Sequence, residues 1–159
     1  MAGRWPDAFE LLLGELRSNR GSLALVDASD SGAPQLLDRL RSVVDEVVSL
    51  GGRLVDHERP PTVTELVSGL GSGSVLMIDI DVLFSPELQV EVVSQLRRTA
   101  ANTALIVAWP GRIAGGRVSY SLPGRADHLD EPVRDLVVLR PLDTEFPDEV
   151  PYTVERYPA

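Results

Sequence analysis

The sequence predicts an α/β domain whose mostly parallel sheet carries helices on both faces. Two runs, Leu23–Asp27 and Thr103–Trp109, are almost continuously apolar, as expected for parallel strands that are buried on both sides. Segments with apolar residues at helical spacing precede and follow these runs, and strands that alternate with helices are typical of this fold class. The chain has 159 residues, which suits one domain. We therefore expect a single domain over residues 1–159, with both apolar runs in the centre of its sheet.

The first half of the chain opens with a predicted helix within residues 1–20. Apolar residues recur at helical spacing from Pro6 to about Arg17, and proline suits the first turn of a helix. The first apolar run follows as a strand, and a second helix begins at Pro34. The helical spacing continues to Val47, although the β-branched end of this segment, "EVVSL", is also consistent with a second strand.

The second half of the chain continues the alternation. Thr62 and Glu65 form a capping-box pattern that opens a helix, and the apolar run "SVLMIDID" then predicts another buried strand. Ser85 and Pro86 begin the next helix, whose inner face includes Leu96. After the second apolar run, "RVSYSLPG" and "DLVVLRPL" are two further strand candidates.

The composition excludes several classes of chemistry. All 15 basic residues are arginine, so there is no lysine for a Schiff base or for a phosphate-binding loop, and the absence of cysteine excludes thiol catalysis and thiolate metal sites. The two histidines, His57 and His128, lie beside acids in predicted loops, which is typical of surface residues. No catalytic residue, metal or cofactor is predicted. The net charge of -9 disfavours nucleic acid and anionic lipid as partners. With no secretory signal and no membrane span, we expect a cytoplasmic protein.

The segment "LALVDASDSGAPQLLDRL" has the layout of a P-loop, in which a strand, a glycine-rich turn and a helix cradle phosphate. The motif G-x-x-x-x-G-K-[ST] requires glycines for the approach of backbone N–H groups, a lysine for charge and a hydroxyl for magnesium. Here Asp27 and Gly32 occupy the glycine positions, while Ala33 and Pro34 replace the lysine and the hydroxyl. Asp30 adds a second carboxylate, and Pro34 removes one N–H from the start of the helix. We predict that this loop binds neither ATP nor GTP.

Other polar residues follow the predicted parallel strands and should reach the same edge of the sheet. Asp79 and Asp81 end a strand that has the form of a Walker B strand, but many buried strands end in Asp at a loop, and we favour a turn or cap role for them. Trp109 either closes its strand in the core or stacks on a base. Arg112 is either a contact for phosphate or for an acidic partner, or a solvated loop residue.

The stretch "VLMIDIDVLFSPELQ", followed by "TALIVAWPGRIAGGRVSYSLPG", resembles the BrxF family. These are small P-loop proteins of type 3 bacteriophage exclusion (BREX) systems. The matching elements are Val75–Phe84, Ser85–Gln89, Ala108–Gly111 and Tyr120–Gly124, and the resemblance extends over roughly 23–124. It implies a P-loop-NTPase-like fold and a role in phage defence.

The departures from that family concern its phosphate and magnesium residues. The phosphate-binding lysine of the family falls on Ala33, and its hydroxyl falls on Pro34. The first acid of its Walker B strand falls on Ile78, one position before Asp79. The residues at these positions therefore argue against the ATPase activity of the family and indicate a degenerate P-loop.

Two segments are candidates for binding partner proteins. The first, Ser94–Ala126, contains no acid and carries five arginines: Arg97, Arg98, Arg112, Arg117 and Arg125. The second is the acidic, proline-rich tail over 143–159, with Phe146, Tyr152 and Tyr157 as apolar anchors. The same aromatic rings could instead pack on the sheet, and the tail is either an ordered edge segment or a mobile arm.

Three functions remain open on the sequence. We favour a non-catalytic P-loop-like subunit that binds other proteins, in an anti-phage defence complex. The alternatives are an atypical nucleotide-binding ATPase or switch of the BrxF type, and a nucleic-acid-binding accessory protein. The missing lysine and hydroxyl disfavour the first alternative, and the net charge disfavours the second.

Overall fold

The computed structural model describes residues 4–19, 22–55, 73–84, 91–144, 146 and 149–157, with the backbone alone for residues 53–55. The helices are α1 (Trp5–Ser18), α2 (Ala33–Arg41), α3 (Leu50–Val55) and α4 (Val92–Ala100), with a 3₁₀ helix at Ile80–Phe84. The strands are β1 (Leu23–Asp27), β2 (Glu46–Ser49), β3 (Ser74–Ile78), β4 (Ala104–Trp109), β5 (Arg112–Ala114), β6 (Arg117–Tyr120), β7 (Leu129–Pro132), β8 (Leu136–Pro141) and β9 (Tyr152–Tyr157). The predicted helix over Thr62–Leu70, the predicted helix start at Ser85 and His57 all lie outside the described residues.

The main sheet has six strands in the order β2-β3-β4-β1-β8-β9. Five of them run parallel, and β9 pairs antiparallel with β8. The prediction that the two apolar runs lie centrally is confirmed, because β1 and β4 are neighbours in the middle of the sheet. The second run begins as a strand at Ala104, one residue later than predicted.

Both faces of the main sheet are covered, as predicted. On one face, α1 and α2 pack against side chains of β1, β3 and β4 that include Ala24, Leu76 and Ile106. On the other face, α3, α4 and the 3₁₀ helix pack with a separate antiparallel sheet, β5-β6-β7. Successive side chains of a strand point to opposite faces, so the all-apolar composition of β1 and β4 supplies both cores.

The structure decides between the alternatives at two segments, the end of the second helix and the tail. The second helix ends at Arg41, and the segment "EVVSL" contributes β2, so the helical continuation to Val47 is wrong and the strand alternative is correct. Its β-branched side chains suit a pleated strand that pairs with β3. The tail also forms an ordered edge strand, β9, where a mobile arm was the alternative.

Candidate functional site

The carboxyl ends of β1, β3 and β4 meet at one edge of the sheet. Asp27 lies opposite Trp109 in the register of β1 and β4, and Asp79 directly follows β3. The parallel pairing therefore brings the candidate residues to the same edge, as the sequence predicted. This edge is also a topological switch point. The chain leaves β1 for β2 on one side of the sheet and returns from β4 to β8 on the other, and ligands of open α/β sheets bind at such points.

The loop that follows β1 is closed by its own hydrogen bonds. Ser29 donates its amide and its hydroxyl to Oδ1 of Asp27, at 3.1 and 2.6 Å. Gly32 donates its amide to Oδ1 of Asp30 at 2.8 Å. The amides of Asp30 and Ala33 donate to the carbonyls of Asp27 and Asp30, at 3.3 and 3.0 Å. Five hydrogen bonds within the loop thus hold its conformation.

These bonds occupy most of the donors that a phosphate would need. In a P-loop the backbone N–H groups point at the ligand, whereas here the carboxylates and carbonyls of Asp27 and Asp30 accept four of them. The amide of Ala28 donates to the carbonyl of Trp109 at 3.2 Å. Pro34, at the start of α2, has no N–H. The loop is therefore built around two internal anions, which also repel a third.

Arg140, at the end of β8, is the principal residue of this edge that the sequence interpretation missed. Its guanidinium donates to Oδ2 of Asp27 at 2.7 Å, to Oε1 of Glu155 at 2.7 Å and to the carbonyl of Ile113 at 2.9 Å. One side chain therefore joins β1, β5, β8 and β9. A signal was present in the sequence, because "LVVLRP" reads as a parallel strand that ends in a cation, beside a strand that ends in an acid.

The network around Arg140 is charge-assisted throughout. The hydrogen bond from Arg140 is the main cause that lowers the pKa of Glu155, and the hydroxyl of Tyr157, which donates to Oε2 at 2.9 Å, adds to it. The same contact with Glu155 raises the pKa of Arg140. Asp27 is only 8% exposed, so its carboxylate depends on Arg140 for compensation of its charge.

The two acids after β3 are engaged by different partners. Oδ2 of Asp79 accepts the hydroxyl of Ser49 at 2.6 Å, and its backbone has a φ of 53°, in the left-handed region. Oδ2 of Asp81 accepts the hydroxyl of Tyr120 at 3.1 Å. Among the described residues, no group of three acidic or imidazole side chains is placed to hold a metal ion. The arrangement matches the turn and cap role that was the alternative to a Walker B acid.

Trp109 and Gly111 explain the "AWPG" segment in structural terms. The Trp109 ring is fully buried, packs edge-on against Phe84 and donates its Nε1–H to the carbonyl of Ser119 at 3.1 Å. It is therefore a core residue and cannot stack on a base. A Cβ atom at Gly111 would lie 1.7 Å from the same carbonyl oxygen, so only glycine allows β6 to approach this closely.

The five arginines of the acid-free segment lie on different elements. Arg97 of α4 donates to the carbonyl of Arg134, while Arg98 of the same helix is exposed. Arg117 pairs with Asp130 at 3.2 Å, and Arg125 pairs with Asp127 at 3.5 Å, both at the surface. Arg112 is exposed on β5. Acids from outside the segment therefore neutralise part of the predicted basic face.

The aromatic residues of the tail have different environments. Tyr152 is 5% exposed and packs in the core with α1 and α2, so its selection as a partner anchor is corrected: burial removes it from the surface. Tyr157 is half-buried and packs against the core on the opposite face of the sheet from Tyr152. Alternation along β9 places these two rings on opposite faces, since they are five positions apart. Phe146, in the connection before β9, is 60% exposed and remains available.

No family model, curated protein or solved structure matches this chain. Within the part of the chain that the structure describes, no helix has both the length and the apolar character needed to span a membrane.

Proposed function

We propose that this protein is a cytoplasmic, non-catalytic P-loop-like subunit that acts by binding other proteins. The single observation that carries this proposal is the closed loop after β1. The amides of Ser29, Asp30, Gly32 and Ala33 donate to the carboxylates and carbonyls of Asp27 and Asp30, so they do not form a cradle of free N–H groups for phosphate. A P-loop-like ancestry is supported by the strand–loop–helix order at a topological switch point.

The resemblance to the BrxF family supplies the biological context of the proposal. It favours a role in an anti-phage defence complex, with other components of that system as partners. The nucleic-acid alternative is weakened, because Arg117 and Arg125 are paired with acids. The net charge of -9 also disfavours binding to nucleic acid.

Calorimetry with millimolar magnesium-ATP and magnesium-GTP tests the non-catalytic part of the proposal. We expect no heat of binding in the unmodified protein. We also expect none in the double variant Ala33→Lys/Pro34→Thr, because the loop amides stay bound to Asp27 and Asp30 after the lysine and hydroxyl are restored. Saturable binding by the unmodified protein that is lost in Asp30→Arg would instead support an atypical nucleotide switch.

Co-purification tests the partner-binding part. The tagged protein, recovered from its native host in the presence of ATP or of EDTA, should carry the same associated proteins under both conditions. Mass spectrometry should identify components of a defence system among them. Recovery that requires ATP would contradict a nucleotide-independent mode of action.

A further inference from the structure

A groove of about 590 Å³ lies between α2 and the connection that joins β8 to β9. Gln35 and Arg39 of α2 line one side, and Leu142, Asp143 and Thr144 of the connection line the other. A volume of this size accommodates several side chains of a bound segment. The loop after β1 closes one end of the groove and contributes Asp30, Ser31 and Gly32 to its lining.

The connection presents apolar side chains to solvent. Leu142 is 46% exposed and Phe146 is 60% exposed, and they are two of the five large hydrophobic residues that are exposed in the described part of the chain. Leu142 lines the groove, and Phe146 follows four residues later on the same connection. Large exposed apolar groups next to a groove are typical of a surface that a partner covers.

The groove carries an excess of negative charge. Asp30 and Asp143 line it, and Arg39 is the cation among the lining residues. Arg39 already contacts other residues of the protein. It donates to Thr144 Oγ1 and to the carbonyl of Phe146, both at 3.5 Å, and its guanidinium lies 5.8 Å from the centre of the Trp5 ring. Neither Asp30 nor Asp143 forms an ion pair with any residue that the structure describes.

We infer that this groove binds a basic segment of a partner protein, with an apolar side chain on Leu142 and Phe146 and an arginine or lysine at Asp30 and Asp143. The charge of the groove selects this occupant, since a nucleic acid or an acidic peptide would place like charges together. Arginine suits the site because its planar guanidinium can bridge two carboxylates. The inference rests on the proposed function and specifies the chemistry of the partner.

Fluorescence anisotropy with three labelled ten-residue peptides tests the inference. The probe alternates arginine and leucine around one phenylalanine. A second peptide replaces each arginine by glutamate, and a third replaces each apolar residue by serine. We expect saturable binding of the first peptide, and binding at least about tenfold weaker for the other two.

Two double variants locate the binding, and a third is the matched control. Leu142→Ser/Phe146→Ser removes the apolar contacts. Asp30→Asn/Asp143→Asn removes the charge, while the asparagine carbonyl still accepts the Gly32 amide. Each should weaken binding of the first peptide at least about tenfold. The control, Asp7→Asn/Leu11→Ser, removes an exposed acid and a leucine that is 73% exposed from α1, and should leave binding unchanged.

Several results would overturn the inference. They are equal loss of binding in the control, equal binding of the glutamate peptide, or no binding of any peptide. A second copy of this chain as occupant would appear in sedimentation as a dimer that the Leu142→Ser/Phe146→Ser variant abolishes. Nucleotide calorimetry on the same samples separates the two proposals, because saturable ATP binding contradicts the proposed function whatever the peptides do. If neither nucleotide nor peptide binds, the inference about the groove is contradicted and the proposed function is not.

Discussion

Two connections at the carboxyl edge of the sheet are held in opposite ways. The loop after β1 is five residues long, and most of its backbone donors are bound by the carboxylates of Asp27 and Asp30 and by neighbouring carbonyls. The connection from β8 to β9 is ten residues long. Among its described residues, Leu142 donates its amide to Pro151 at the base, and Glu149, Thr144 and Arg39 donate to the carbonyl of Phe146 at 3.2 to 3.5 Å.

The difference supports the proposal that this domain binds a partner beside the longer connection. In a P-loop protein the loop after the first strand keeps its donors free for the ligand, and the ligand completes the hydrogen bonding. Here most of the equivalent donors are already satisfied by the protein itself. The exposed apolar groups, Leu142 and Phe146, are instead on the longer connection together with Asp143, while Asp30 lies in the loop. The four predictions below test this contrast, in descending order of expected effect.

Gly111→Ala should have the largest effect on stability. Gly111 lies just after β4, at the same edge of the sheet as the loop after β1. A Cβ atom at this position would lie 1.7 Å from the backbone oxygen of Ser119, which cannot move without breaking the pairing of β6. We expect a loss of more than about 4 kcal/mol in the free energy of unfolding, measured by urea denaturation. Gly14→Ala is the control, since nothing lies within 4 Å of its Cβ position and alanine favours the helix. Similar midpoints for the two variants would contradict the close approach.

Tyr152→Ala and Phe146→Ala compare the base and the exposed part of the longer connection. Tyr152 is 5% exposed, and burial raises its pKa to about 12, so its truncation should cost about 3–5 kcal/mol. Phe146 is 60% exposed, and its truncation should change stability by less than about 0.5 kcal/mol. Thermal and urea unfolding of both variants measure these values. A large loss for Phe146→Ala would mean that this side chain supports the fold.

Arg140→Ala should destabilise the protein by about 2–3 kcal/mol, because it leaves the buried carboxylate of Asp27 without its cation. The partial exposure of Arg140, 27% of its side chain, keeps this estimate below the range for fully buried pairs. Arg117→Ala breaks an ion pair whose two side chains are about half exposed, and should cost less than about 1 kcal/mol. If both variants unfold at the same urea concentration, Arg140 does not have the structural role assigned to it.

Glu155→Gln should produce the smallest change, and it should depend on pH. The hydrogen bond from Arg140 holds the pKa of Glu155 below its ordinary value of 4.5. A depressed pKa in the folded state stabilises the protein above the unfolded value, and this contribution disappears as the pH falls through the folded value. Urea midpoints between about pH 5 and 3 should therefore fall less steeply in Glu155→Gln than in the unmodified protein. Hydrogen bonds from Ser74 and Ser121 lower the pKa values of Asp45 and Asp127. Protonation of these two carboxylates therefore contributes to the loss of stability at low pH in both proteins. Parallel pH profiles would contradict the linkage.

Most of the main sheet could be predicted because its signal is local. The apolar composition of β1 and β4 reports burial on both faces, and the spacing in α1 and α4 reports one buried side. The boundary between α2 and β2 could not be settled in this way, since Val43, Val44 and Val47 fit a helical period and also a strand. Pairing with β3 decides between them, and that pairing depends on residues far along the chain.

The departure from the P-loop motif can be seen in the residue types alone, since aspartate, alanine and proline stand where the motif requires glycine, lysine and a hydroxyl. Which groups contact the Asp27 carboxylate depends on the fold. Arg140 is 113 positions from Asp27, and parallel pairing of β8 with β1 brings the two side chains to 2.7 Å. Burial of Tyr152 likewise depends on the antiparallel pairing of β9 with β8, whereas Phe146, in the connection before that strand, stays exposed. Residue type specifies which contacts are chemically possible, and long-range strand pairing selects the contacts that form.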